Sequence, residues 1–418
     1  MFKHVKLDNG VRIIYEHIPY VRSVSIGLWV GTGSRYENAE NNGVSHFIEH
    51  LMFKGTQNRT AKEIAHSIDS IGGQINAFTG KECTCFYTKT LNTHAQIALD
   101  ILADMFFNSR FDEKDIDIER KVILDEIDMC EDSPEGLVHD LLSESVWESN
   151  SLGFPILGTR ESLSQIGQKE IKNYVKKNYL PQNTLVVIVG NFEHDYMEEL
   201  VKEKFGGWKV PSTTRNMFKA TQFIPCSKIK KKETEQVHIC MAFEGIEYGN
   251  DDLYPLLAIN NLLGGGMSSR LFQKVREEMG LAYSIYSYPS SYMNAGLFTV
   301  YAGMNPVHFQ MVMELLIDEI RFLIKNGMSE EELEKSKEQL KGNYILASED
   351  TGSRMSSIGK SGLLLDKTFS HDVILKKIDD ISIERVKQVQ KQVFDLNRVS
   401  FTAVGNIKCD INLSELKL

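Results

Sequence analysis

The sequence predicts an α+β fold made of two homologous halves, each an antiparallel-rich sheet flanked by helices. Two features of the chain predict it. The sequence repeats itself once at nearly constant spacing, and strand-like and helix-like segments are mixed without the regular strand–helix–strand rhythm of a parallel sheet. A length of 418 residues also exceeds one ordinary core and calls for more than one domain.

The repeat is read from two landmarks. Val24–Gly31 has the make-up of a strand ending in glycine, and Val237–Gly245 ends the same way at an offset of 245 − 31 = 214. Leu185–Asn191 returns as Ser400–Asn406, with Gly190 and Gly405 offset by 405 − 190 = 215. Self-similarity at a fixed spacing marks repeated structure. In the first half, Thr84–Thr90 alternates like a half-buried strand, and His94–Phe106 spaces its apolar residues like a helix. Gly72–Thr79 reads as a turn into an edge strand. Gly206, Gly207 and Pro211 break regular structure, which places a first half at 1–210, a linker at 211–233 and a second half at 234–418.

Composition excludes several classes of function. Hydrophobic residues make up 42% and charged residues 25%, as in ordinary globular proteins, and the formal net charge of −10 argues against nucleic acid as a partner. The Lys228–Lys232 basic run is too short to change this and reads as a solvated strand end or linker. No apolar run is long enough to span a bilayer, and the residues after Met1 resemble neither a secretory signal nor a transit peptide, so a cytoplasmic location and no membrane partner are expected. The six cysteines are scattered and are expected to be reduced thiols without chemistry.

The chemistry is expected at His46-Phe47-Ile48-Glu49-His50. Histidines four apart lie one above the other on a helix, so both imidazoles can point at one metal ion, with Glu49 on the same side. A carboxylate beside a two-histidine site can take a proton from water, and the order of residues is the inverse of the His-Glu-x-x-His signature. Adding 214 to these positions gives Asn260, Leu263 and Gly264, so only the first half can hold this metal. A catalytic zinc needs a third protein ligand. Glu119 and Glu126 are two helical turns apart and face the same way, but spacing does not choose between them, and with Arg120 and Asp125 they could equally form a solvated face.

The chain resembles the pitrilysin (insulinase) family of zinc peptidases, in its short bacterial type related to mitochondrial processing peptidase, over nearly its whole length. In that family the third ligand is a glutamate about 76 residues past the second histidine, and here 126 − 50 = 76. The resemblance implies one zinc per chain held by His46, His50 and Glu126, Glu49 as general base and Glu119 in support. It identifies Gly264, Gly265 and Gly266 with the family's glycine-rich loop. It identifies Arg276 and Tyr283 with a pair lent to the zinc site; from the residues alone, Arg276 reads as a helix-surface residue and Tyr283 as a core aromatic. It makes Asn76, Ala77, Phe78 and Thr79 the strand that pairs with a substrate backbone. The implied function is a zinc-dependent endopeptidase that closes its halves as a chamber around unfolded or short peptides, as a homodimer. The alternative is a non-catalytic or partner-dependent subunit of a heterodimeric processing peptidase.

Overall fold

The computed structural model describes residues 2–148, 150–209 and 221–407. Strands β1 (Phe2–Lys6), β2 (Arg12–His17), β3 (Ser23–Val30), β4 (Gln74–Thr79), β5 (Thr84–Leu91) and β6 (Thr184–Gly190) form one sheet in the order β1-β2-β6-β3-β5-β4. Every neighbouring pair is antiparallel except β2 with β6. Strands β7 (Ser227–Lys231), β8 (Val237–Glu244), β9 (Ala282–Tyr292), β10 (Ala295–Met304) and β11 (Ser400–Gly405) form a second sheet in the order β7-β11-β8-β10-β9, with β7 and β11 parallel and the rest antiparallel. The landmarks of the repeat thus fall on β3 and β8, and on β6 and β11, which hold matching places in the two sheets. No helix among the described residues is long and apolar enough to cross a membrane.

Strand β3 is buried almost throughout because both its faces are covered. Val24, Ile26, Leu28 and Val30 share a core with Phe47, Ile48 and Leu51, while Trp29 points to the other face, among Met355, Ile358 and Leu185. Cys83 and Cys85 join that second cluster, and burial pushes the Cys83 thiol up to about 12. Five cysteines are free thiols, and Cys409 lies outside the described residues.

The compact units do not follow the expected division at 1–210 and 234–418. One unit takes the described residues of Met1–Ile127, Phe154–Phe218 and Ile345–Ser370, the other those of Asp128–Gly153, Lys219–Tyr344 and His371–Leu418. The two transferred segments correspond, since 345 − 128 = 217 and 370 − 153 = 217. Each half of the sequence therefore gives one segment to the unit built mainly from the other half. Of the expected linker, 211–220 lie outside the described residues. Ser227–Lys231 is strand rather than linker, because its main chain pairs with Phe401–Gly405. Its exposed lysines occupy the sheet edge, where charge discourages pairing with other chains.

Both transferred helices bury an apolar stripe. In the first unit, the helix Thr351–Leu365 sets Met355, Ile358 and Leu363 against Ile14, Trp29 and Leu185. It comes so close that a Cβ on Gly359 would lie 2.0 Å from the Trp29 ring, and one on Gly362 2.5 Å from Ile14. Arg354 and Glu16, 2% and 7% exposed, form a two-pronged ion pair at 2.7 and 3.0 Å between this helix and β2. In the second unit, the helix Pro134–Val146 sets Val138, Leu142 and Val146 against Cys240, Ala242 and Val404. There His139 takes the anchoring part: its Nδ1 meets the Tyr288 hydroxyl at 2.7 Å and its ring stacks on Tyr301 at 5.1 Å.

Removing one member of a buried ion pair strands the other, whereas replacing both by apolar groups is often neutral. Arg354→Met is therefore expected to cost about 3–5 kcal/mol in urea unfolding, and Glu16→Leu with Arg354→Met to recover most of it. A single substitution costing under about 1 kcal/mol would show that the pair does not hold the helix.

Burial holds His139 below its ordinary value of 6.5, opposed by Glu135 and reinforced by His238. The unfolded chain then binds a proton that the folded chain resists. This contribution to stability is complete above about pH 6.5 and is lost as pH falls. His139→Phe should flatten the fall in stability between pH 7 and 5, measured by urea titration at each pH. Equal slopes in the variant and the parent would exclude His139 as a source of acid sensitivity.

Candidate metal centre

The helix Val44–Met52 turns Phe47, Ile48 and Leu51 into the first unit's core and leaves His46, Glu49 and His50 only part-buried. Facing them is the helix Glu113–Asp132, whose Ile116, Ile123 and Ile127 are buried. That packing brings in the carboxylate which spacing could not select. Glu126 Oε2 lies 3.8 Å from His46 Nε2, and Oε1 lies 3.7 Å from His50 Nε2. One ligand atom from each of the three residues falls within 4.8 Å of the others, the one such cluster of three or more among the described residues. Donors around a tetrahedral zinc, with bonds of about 2.0–2.1 Å, sit roughly 3.3 Å apart, so ligand atoms that lie within 4.8 Å of one another would draw together to hold the ion.

The other glutamate serves a different purpose. Glu119, 2% exposed, places Oε2 3.1 Å from His50 Nδ1 and Oε1 2.6 Å from the Lys54 ammonium. Accepting from Nδ1 leaves the His50 Nε2 lone pair directed at the cluster. Burial, and then the neighbouring His50, push His46 down to about 4, so its ring is neutral and also retains a lone pair. Its buried Nδ1 has no hydrogen-bond partner among the described residues.

Glu49 is placed next to this cluster without joining it. Burial raises its pKa; the Thr79 hydroxyl and His50 lower it, and Glu126 raises it further. Thr79 Oγ1 donates directly to Glu49 Oε2. Thr79 ends β4, the open edge of the first sheet, which also carries Asn76, Ala77 and Phe78. The Ala77 amide is held by the Asn76 side chain at 2.8 Å. The edge ring of Phe78 packs on Trp29 at 5.4 Å. Lys54 and Thr79 were not identified in the sequence as part of this centre. For Lys54 a signal existed, since it follows His50 by four residues; for Thr79 only the fold supplies one.

The remaining candidates lie in the second unit. Arg276 belongs to the π-helical turn Phe272–Glu278, and its guanidinium lies over the Tyr283 ring at 5.5 Å. Tyr283 is 74% exposed, which corrects its reading as a core aromatic: in β9, Ala282 points inward and Tyr283 outward. Gly264 ends the helix Leu253–Leu263 and its carbonyl accepts the Ser287 amide at 3.0 Å, and a Cβ on it would lie 2.5 Å from the Ser287 nitrogen; Gly265 and Gly266 continue the turn. Asn260, at the position matching His46, accepts from the Ser287 hydroxyl at 2.8 Å. The repeat thus uses as loop support the position that in the first unit carries a candidate metal ligand.

Two imidazoles and a carboxylate around one point, with a second carboxylate alongside, form the donor set of the zinc peptidases. The comparisons agree. Residues 12–160 match the family model "Insulinase (Peptidase family M16)", and residues 165–340 match "Peptidase M16 inactive domain". The chain is 46% identical to "Uncharacterized zinc protease YmxG" of Bacillus subtilis, over 94% of this chain and 96% of that one. It is 37% identical to an uncharacterized zinc protease of Streptomyces coelicolor, over 97% and 90% of the two chains. A crystal structure of a protease from Helicobacter pylori superposes with a TM-score of 0.92 at 21% identity, covering 97% of this chain and 99% of that one. A Pseudomonas fluorescens structure described as a peptidase M16 inactive domain gives 0.90 at 17% identity, over 98% and 99%. The chain belongs to the M16, or insulinase, family of zinc proteases.

His50→Ala is expected to abolish zinc retention through dialysis, and Glu119→Gln to weaken zinc binding about 10–100-fold in a chelator competition. Zinc content in His50→Ala equal to that of the parent protein would remove the ligand assignment.

Proposed function

We propose that this chain is a zinc-dependent endopeptidase acting on short or unfolded peptides, with Glu49 as its general base. One contact carries the reading: the hydrogen bond from Thr79 joins a part-buried carboxylate to the open edge of a sheet. Zinc held by His46, His50 and Glu126 supplies Lewis acidity, which polarises a carbonyl and makes water easier to deprotonate. Glu49 takes the proton from the attacking water and later gives one to the leaving amine. Its raised proton affinity suits both transfers, since a carboxylate of ordinary pKa is a weak base near neutrality.

The open edge accounts for the class of substrate. A peptide laid along Asn76–Thr79 would pair its main chain with unused donors and acceptors of β4, and the Ala77 amide would exchange its bond to Asn76 for one to the peptide. Only an extended segment offers its backbone in that way, and a folded domain does not. Main-chain pairing also leaves sequence preference loose. By resemblance, Tyr283 and Arg276 take the part of oxyanion donors, and Gly264–Gly266 that of a further substrate contact.

Glu49→Gln should retain zinc and lose about 10²–10⁴-fold in the rate of cleaving an unstructured peptide. Tyr283→Phe should retain zinc and lose about 10²-fold in kcat. A chelator should stop cleavage and added zinc restore it. Full turnover by Glu49→Gln would end the base assignment. Size-exclusion fractions assayed for cleavage give the oligomeric state, which we propose to be a homodimer.

A further inference from the structure

We infer that Glu37 is a positioning residue for the metal centre: its buried carboxylate fixes the amino end of the helix Val44–Met52 and so sets where His46 and His50 stand. The inference rests on the zinc reading proposed above. Glu37 lies seven residues before that helix and is 6% exposed. Its Oε1 accepts the Ser45 amide at 2.8 Å, and its Oε2 accepts the Gly43 amide at 2.7 Å and the Asn42 side chain at 2.9 Å. The first amides of a helix have no partner within it, and a side chain at the start of the helix usually satisfies them. Here that place is held by Gly43, which has no side chain, and the acceptor is supplied by Glu37 instead.

The segment around this carboxylate has little freedom to shift. Gly43 adopts φ +92°, and a Cβ there would lie 2.6 Å from the Leu157 carbonyl. Asn42 also donates to the Pro155 carbonyl at 2.9 Å, and its own carbonyl accepts from Ser162 at 2.7 Å. Ser45 precedes His46 directly. Its hydroxyl meets that of Tyr174 at 2.9 Å, which in turn meets Thr32 at 2.8 Å. Ser45 is thus held through its amide by Glu37 and through its side chain by Tyr174. A glutamine at position 37 would offer one acceptor, and its NH₂ would oppose either the Ser45 or the Gly43 amide, both of them donors. The helix would then shift relative to Glu126, which is carried on a different helix.

The test compares zinc affinity by chelator competition, and the visible spectrum of the cobalt-substituted protein, in Glu37→Gln, Glu37→Asp and Val389→Ala. Val389 is fully buried in the second unit and controls for lost stability alone. We expect Glu37→Gln to bind zinc about tenfold or more weakly and to alter the cobalt bands. Val389→Ala should lower Tm and change neither. Glu37→Asp, which keeps the charge but is one methylene shorter, should fall between the parent and Glu37→Gln, and it carries the test if the glutamine variant does not fold. Parental zinc affinity and cobalt bands in the Glu37 variants would overturn the inference. Failure of the parent protein itself to bind zinc would overturn the zinc reading, and this inference with it.

Discussion

A helix of nine residues carries two of the three metal-ligand candidates and the candidate base, and the site depends on that helix neither rotating nor sliding. Constellations of this kind must be held to within roughly 0.5 Å and 10–20° to function. The hydrophobic effect sets the rotation: Phe47, Ile48 and Leu51 are at most 1% exposed, and turning them out would expose three large side chains at about 1.5–3 kcal/mol each. Polar contacts set the rest, Glu119 on His50 at one end and the donors to Glu37 at the other. Apolar burial alone would leave the helix free to slip along its axis. Directional bonds alone would not keep water out.

The duplication separates architecture from chemistry. Apart from β1, both sheets share strand order, the single parallel pair and a helix received from the opposite half of the sequence, yet among the described residues only the first unit gathers a candidate set of metal donors. The difference is local. Where the first unit has His46, the second has Asn260 bonded to Ser287, so a polar position is kept while the candidate metal donor is replaced by an amide that accepts from a neighbouring strand. The anchors of the transferred helices differ as well, a buried Arg354–Glu16 pair in one unit and a neutral His139–tyrosine cluster in the other. A sheet that buries both faces needs a covering helix, but the polar device that fixes the helix is not dictated by the fold.

Much of this was legible in the chain. Residues that interact within one helix are spaced by its geometry, so His46, Glu49 and His50 could be placed from sequence, as could the strands that repeat. Glu119 and Glu126 could be placed on one face but not told apart, because their distinction lies in which end of the helix meets His46 and which meets Lys54. Thr79 is thirty residues from Glu49, and only the fold joins them. The transfer of helices was not legible, because an apolar stripe says that a helix is buried and not which of two similar sheets receives it. Gly359 and Gly362 were the available hint, since glycines on the buried side of a helix mark a close approach to something large.

The transferred helix also bears on how the protein is made. Strand β6 completes the first sheet at Gly190, whereas the segment that covers Trp29, Leu185 and Val187 begins at Ile345, and 345 − 190 = 155 residues separate them. At translation rates of about 5–20 residues per second, one oily side of the nascent sheet stays bare for roughly 8–30 s. Over that interval the emerging polypeptide presents the kind of surface that ribosome-associated chaperones bind, and the sheet is sealed only once Ile345–Ser370 has been made.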